Sequence, residues 1–374
     1  MRQERERRPR SIFRTLAIAA AVGISGCGHA IPIAATFRGG AGISADANLR
    51  GGVDIKLPPV EVKLPTAADP GEMVASVVRP GRDGSPSARV AVVDLDGVLL
   101  NQNYGNLYAV GDNPLASFRD KLEAVARDPQ VVAVVLRVNS PGGSVTASDV
   151  MAEELRRFRA RTHKPVIASL MDVATSGAYL VAAESDQIVA HPTGLTGGLG
   201  VLFNHFNLQD AMAQLNVTTD PVKAGEKIDM GTVTAPLDDA TRAMIQQMAD
   251  AYRDHLQNLV KRRRTAMTDQ DRQALADGRV VLASQALSLH LVDRLGYVDD
   301  AIAEAERAAG ISGAEVVLFH RSGYPAHSIY AITPSPAPLS ESIPMSYPGL
   351  DRSRLPTFLY LWQPDPTLPR TGAR

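Results

Sequence analysis

An α/β fold with a mostly parallel sheet is predicted by three observations. Short apolar runs alternate with amphipathic helical segments, two of those runs end in glycine-bearing turns that open a helix, and 45% of the 374 residues are apolar. That composition buries one sizeable core or two modest ones. The formal net charge of −1 gives no bulk electrostatic reason to expect a nucleic-acid partner.

The chain opens with Arg7, Arg8, Arg10 and Arg14, followed by an apolar run from Leu16 to Gly26 that is too short to span a bilayer. This is the grammar of a signal peptide. It ends in Ile24-Ser25-Gly26-Cys27, an aliphatic-small-small-Cys pattern of the bacterial lipobox type, so residues 1–27 read as a lipoprotein signal with Cys27 as the lipidation site. Cys27 is the only cysteine, which excludes an intrachain disulfide. The expectation is a membrane-anchored lipoprotein of the cell envelope, its main domain outside the cytoplasm.

Residues 28–88, rich in Gly, Ala and Pro, read as a tether with an edge hairpin where strand-like alternation runs from Val53 to Leu64. From Arg89 the pattern tightens. Val90-Ala91-Val92-Val93 is a buried strand, and a helix then carries Leu115, Phe118, Leu122 and Val125 on one face and stops before Pro129. The run Val131 to Val138 enters Asn139-Ser140-Pro141-Gly142-Gly143-Ser144, a tight turn before a helix bearing Val150, Met151, Leu155 and Phe158, with Thr146 and Asp149 at capping-box spacing. The run Val166 to Leu170 leads to Ala174-Thr175-Ser176-Gly177-Ala178-Tyr179 and a second helix through Ala183. A short strand at Gln187–Ala190 and the glycine-rich turn Gly194 to Gly200 follow.

Past Asn216 an irregular segment holds Lys223 and Lys227. A long helix over about 238–260 is predicted to bury a stripe of Met244, Met248, Tyr252, Leu256 and Leu259, and Lys261 to Arg264 close it as a solvated end that complements the helix dipole. Helices at Ser284–Leu291 and Asp299–Ala309 complete a main domain over 89–312, leaving 313–374 as a Pro-rich disordered tail.

The two turns point to acyl-transfer chemistry. Ser176 is placed beside amide groups bared by a helix start, and Gly142, Gly143 and Gly177 are the candidate donors to an oxyanion and to a bound peptide backbone. A serine hydroxyl needs a base. His191 follows in the chain order of a Ser-His-Asp peptidase but fits a packing role better, whereas a lysine is the stronger candidate, Lys223 and Lys227 flanking Gly225 both being open, provided desolvation lowers its pKa by several units.

The stretch Leu136 to Ser144, the segment Ala174 to Tyr179, the stretch Leu195-Thr196-Gly197-Gly198-Leu199-Gly200-Val201 and the run Ser284 to Asp293 together resemble the signal peptide peptidase A (protease IV) family. The likeness extends from about Arg89 to Ala309. It implies a Clp/crotonase-like layered fold of repeated β-β-α and βαβ units, a membrane-tethered homo-oligomer, and a Ser/Lys dyad that cleaves leftover signal peptides and other extended peptides without ATP. By motif, Ser176 becomes the nucleophile and Gly143 an oxyanion donor. No metal or cofactor is implied.

Two positions depart from the family pattern. Ile228 stands where the family has its lysine, with Lys227 one residue earlier, and Gly198 stands where a serine hydroxyl helps hold that lysine. Both changes strike the base and spare the nucleophile. They motivate an alternative, a catalytically weakened or inactive member acting as a peptide-binding scaffold. A crotonase-like enzyme acting on a thioester shares the oxyanion logic, but an exported lipoprotein would not meet cytoplasmic acyl carriers.

Overall fold

A computed structural model describes residues 71–82, 88–102, 112–322, 326–331 and 358–362 in full, and the backbone of 16–22, 31–38, 42–49 and 53–56. The chain divides into two compact units, Met1–Ala67 and Ala68–Arg374. The first holds four strands, β1 (Leu16–Val22), β2 (Ile31–Arg38), β3 (Gly42–Leu49) and β4 (Val53–Lys56), paired antiparallel in sequence order. The expected tether with one hairpin is thus replaced by a four-stranded meander. Cys27 lies outside the described residues. No helix among them is long and apolar enough to cross a membrane.

The second unit begins with β5 (Met73–Arg79) and β6 (Arg89–Leu99). Next comes α1 (Pro114–Arg127), whose proline accepts the first helical position and whose N-cap Asn113 takes hydrogen bonds from the N–H groups of Leu115 and Ala116. The units β7 (Val131–Ser144), α2 (Val145–Thr162), β8 (Val166–Thr175), α3 (Gly177–Ala183) and β9 (Gln187–Ala190) follow as alternating strand and helix. The chain continues through β10 (Leu195–Gly197), α4 (Gln209–Gln214), α5 (Asp239–Arg263), α6 (Asp269–Ala274), β11 (Val280–Leu282), α7 (Ala283–Ser288), β12 (Arg294–Leu295) and α8 (Val298–Ala308). It ends in β13 (Glu315–Arg321) and, after a long connection, β14 (Leu359–Leu361).

One sheet runs through this unit in the order β11-β10-β8-β7-β6-β13-β5, parallel from β10 to β13. It is the predicted α/β layered fold with a mostly parallel sheet. Both faces are covered, as a parallel sheet requires. On β6 the side-chain alternation divides the core: Ala91, Val93 and Leu95 pack with Phe118, Leu122, Met151, Leu155 and Tyr179 from α1, α2 and α3, while Val90 and Val92 pack with Ala301, Ile302 and Ala305 of α8. The first half of β8 pairs with β9 and its second half, Val173–Thr175, with β10. That switch of partners carries the end of β8 away from β9 and frees it to present the residue that follows.

The predicted boundaries need three corrections. Residues 73–79 and 315–321, assigned to tether and tail, are strands of the main sheet, with β13 parallel to β6 and antiparallel to β5. Their apolar residues Val316 and Leu318 are fully buried. Residues 326–331 are also held: the buried Arg137 pairs with Asp94 at 2.7 Å and donates to the carbonyls of Ile329 and Ala331. The stripe of α5 is rotated from the predicted one, with Thr241, Ile245, Leu256 and Val260 buried and Met244, Met248 and Tyr252 among the exposed apolar side chains.

Candidate active site

Three chain segments converge where β8 ends. Ser176 sits between β8 and α3 with φ 54° and ψ −115°, a conformation sparsely populated by residues other than glycine. It is held there from both sides: its N–H donates to the carbonyl of Gly197 at 2.8 Å, and its own carbonyl accepts from Leu180 N–H at 2.9 Å. The neighbouring Thr175 hydroxyl ties the turn to Pro141 at 3.1 Å, and Thr196 ties it to Ala174 at 2.7 Å. Strain of this kind is stored where the surrounding structure fixes a residue, and it makes Ser176 the candidate nucleophile of the site.

The predicted tight turn at Pro141-Gly142-Gly143 is instead the end of a strand. β7 runs on through Gly143 to Ser144, which caps α2 by accepting from Ala147 N–H at 3.1 Å, so Ser144, rather than Thr146, starts the helix. Gly142 has φ 101°, and a Cβ there would lie 3.1 Å from Gly177 N and overlap the Tyr360 carbonyl. A Cβ on Gly143 would collide with the backbone of Leu99. Glycine is therefore demanded at both positions by close backbone approach. Gly142, Gly143, Ser176 and Gly177 form one continuous patch of backbone, as the candidate oxyanion and peptide-binding residues require.

The candidate bases lie elsewhere. Lys227 Nζ contacts Asp238 at 3.2 Å and the Thr241 hydroxyl at 3.0 Å, at the N-terminus of α5. Lys223 pairs with Asp229 at 2.9 Å. The Ser176 hydroxyl donates to the Gly200 carbonyl at 3.3 Å. His191 shares a hydrogen bond with Thr193 at 2.9 Å and packs edge-on against Tyr297, the packing role its sequence context favours. Asp238 is drawn down to about 2 by the Thr241 N–H, then the Thr241 hydroxyl and then Lys227, so Lys227 faces a carboxylate across the acid to neutral range.

Gly198 has φ 67°, and a side chain there would begin 3.4 Å from Thr175 Cβ and 3.6 Å from Ser176 N. The position at which the family resemblance expects a serine hydroxyl therefore lies beside Ser176, the candidate nucleophile. Two features escaped the sequence reading. Ser148 Oγ, on the first turn of α2, is buried without a hydrogen-bond partner against Gly177. The segment 358–362 also reaches the site, and its signal was present in the uninterrupted apolar string Phe358-Leu359-Tyr360-Leu361-Trp362 within the Pro-rich tail.

Residues 159–312 match Peptidase family S49. A signal peptide peptidase SppA-type protein of Enterococcus faecium is 28% identical over 63% of this chain and 68% of its own length. Protease 4 of Salmonella typhi is 32% identical over 59% of this chain and 34% of its own length, and the chloroplastic serine protease SPPA of Arabidopsis thaliana is 31% identical over 51% and 28%. The chain therefore spans about a third of the length of these two longer relatives. Among solved structures, a mutant of a membrane-bound stomatin-specific protease aligns over 62% of this chain and 97% of its own, at 12% identity and a TM-score of 0.39.

Proposed function

We propose that this chain, whose residues 159–312 match Peptidase family S49, is a serine endopeptidase of the signal peptide peptidase A type that cuts short extended peptides, cleaved signal peptides among them, without ATP. The observation that carries this reading is Ser176, held in a strained turn beside the backbone of Gly142, Gly143 and Gly177. In the reaction, Ser176 Oγ bonds to the scissile carbonyl carbon while its proton passes to a neutral lysine amine. The oxygen gains negative charge, which nearby amide N–H groups stabilise. The C–N bond then breaks, the leaving amine takes the lysine's proton, and water repeats the sequence to release the acid and restore the serine.

Lys227 is the lysine we assign, with Lys223 the alternative. Either amine must first leave the carboxylate it contacts, Asp238 for Lys227 and Asp229 for Lys223, to reach Ser176. The segment between β10 and α5 that bears both carries Leu215, Val217, Val222 and Ile228 exposed to solvent. We place this segment against a second copy of the chain in a homo-oligomer anchored to a membrane through lipid on Cys27. Light scattering on the soluble domain tests the assembly, and a monomer at every concentration would remove it.

Labelling with a fluorophosphonate and turnover of a fluorogenic peptide test the chemistry. Ser176→Ala is expected to abolish both, and Lys227→Ala or Lys223→Ala to reduce turnover by roughly 10³-fold if that lysine is the base. A second reading, a peptide-binding scaffold with weakened hydrolysis, is favoured by Gly198 and by the ion pairs of both lysines. It is supported if the parent binds extended peptides but neither cuts them nor reacts with the probe.

A further inference from the structure

Ser176 is completely buried, yet a nucleophile must meet its substrate. What covers it is part of the same chain. β14 lies antiparallel to the end of β7, with Leu359 opposite Ser144, Tyr360 opposite Gly143 and Leu361 opposite Gly142. The pairing continues at both ends, where Val145 N–H approaches the Phe358 carbonyl at 3.5 Å and Trp362 N–H donates to the Pro141 carbonyl at 3.0 Å. On its other edge, Leu359 exchanges two 3.0 Å hydrogen bonds with Leu202 just beyond the glycine-rich turn. The segment is thus an added strand between the two walls of the site.

Its side chains are anchored as well. Tyr360 is fully buried and donates to the Tyr252 carbonyl of α5 at 2.7 Å, and Phe358 packs against Phe203 and Tyr252 with ring centroids 5.2 and 5.1 Å away. The Tyr360 carbonyl lies directly over Gly142 and 3.2 Å from where a Cβ on Gly177 would stand. A peptide carbonyl of the chain itself therefore lies against Gly142 and Gly177, two of the candidate oxyanion and peptide-binding residues.

We propose that the strand Leu359–Leu361 is a resident autoinhibitory occupant of the peptide groove, which an extended peptide must displace to reach Ser176. This rests on the peptidase reading for its consequence, but the competition for the groove does not depend on turnover. A tethered strand competes at a high effective concentration, so it raises the apparent KM and leaves kcat alone.

The test uses the full chain and a variant, Leu359→Pro, that lacks the N–H donated to Leu202. The probe is a fluorescein-labelled synthetic peptide of residues 356–364, followed by anisotropy in a Ser176→Ala background. The variant is expected to bind the probe roughly tenfold more tightly than the parent, as removal of a tethered competitor requires. With an active serine, KM for a fluorogenic peptide falls by a similar factor. Phe358→Ala, which spares every backbone hydrogen bond, gives a smaller shift in the same direction and replaces the proline variant if circular dichroism shows that variant unfolded. Equal affinity in folded parent and variants overturns the proposal. So does a serine-dependent cut within 358–362 seen by mass spectrometry, which would make the segment a substrate. Tighter probe binding with no hydrolysis and no fluorophosphonate labelling in either chain keeps the resident strand and removes the peptidase reading; hydrolysis with unchanged KM does the reverse.

Discussion

At Gly143 the chain comes so close to Leu99 that no side chain fits, because β6 and β14 pass on either side of one residue. Gly143→Ala must push β6 and β7 apart where the candidate oxyanion donors lie. It is expected to destabilise the domain by about 1–3 kcal/mol and to reduce turnover of a peptide substrate more than it reduces fluorescence-detected binding. Denaturant titration and steady-state kinetics separate the two effects. This demand for glycine was visible in the sequence as Pro141-Gly142-Gly143, but its cause was misread: a tight turn and a strand squeezed from both sides ask for the same residue. Ser176 was legible for a firmer reason, since an apolar strand ending in Thr-Ser-Gly before a helix leaves few places for the serine to go. The positions of Lys223 and Lys227 were not legible, because an exposed lysine is positioned by whichever carboxylate the fold brings near, and neither Asp229 nor Asp238 announces itself by spacing.

The long helix α5 shows how an element can be found while its orientation is missed. Asp238 caps it, accepting from Thr241 N–H at 2.7 Å, close to where the apolar periodicity predicts the start. The face that is buried, however, was decided by neighbours: Leu256 and Val260 meet the α3 side of the core, while Met244 and Met248 stay exposed. Asp238 also carries a pH signature. Its folded value, about 2, is below the ordinary 3.8, so its contribution is complete above pH 3.8 and fades as the pH falls toward 2. Asp238→Ala should lower Tm at neutral pH, and the difference from the parent should shrink across that acid window. A difference that persists unchanged at the bottom of the window would mean the cap acts without its charge; thermal melts at a series of pH values measure it.

Across the whole domain, the parallel sheet and its strand–helix alternation were readable because each strand is a nearly unbroken apolar run, while the ends were not. β13 was lost in a tail defined by its composition, and β14 in a segment of prolines and serines, since pairing at long sequence separation leaves no local trace. The buried pair of Arg137 and Asp94 joins the sheet to residues 329–331 in a similar non-local way. Arg137→Met leaves Asp94 without that partner and frees two carbonyls, an expected loss of about 3 kcal/mol in urea unfolding, together with faster proteolysis after residue 321.

The place of β13 has a consequence for how the molecule comes into being. This strand, almost the last of the domain to be synthesised, enters between β5 and β6, which come first. A nascent chain that has emerged only as far as α8 has an open slot between β6 and the edge strand β5, with the backbone of Arg89–Val92 on β6 left without its ladder partner. Assembly must therefore wait for the carboxyl-terminal third, and a fragment stopped at 312 should aggregate or remain protease-sensitive while one reaching 331 becomes resistant. Pulse proteolysis of the two lengths distinguishes them.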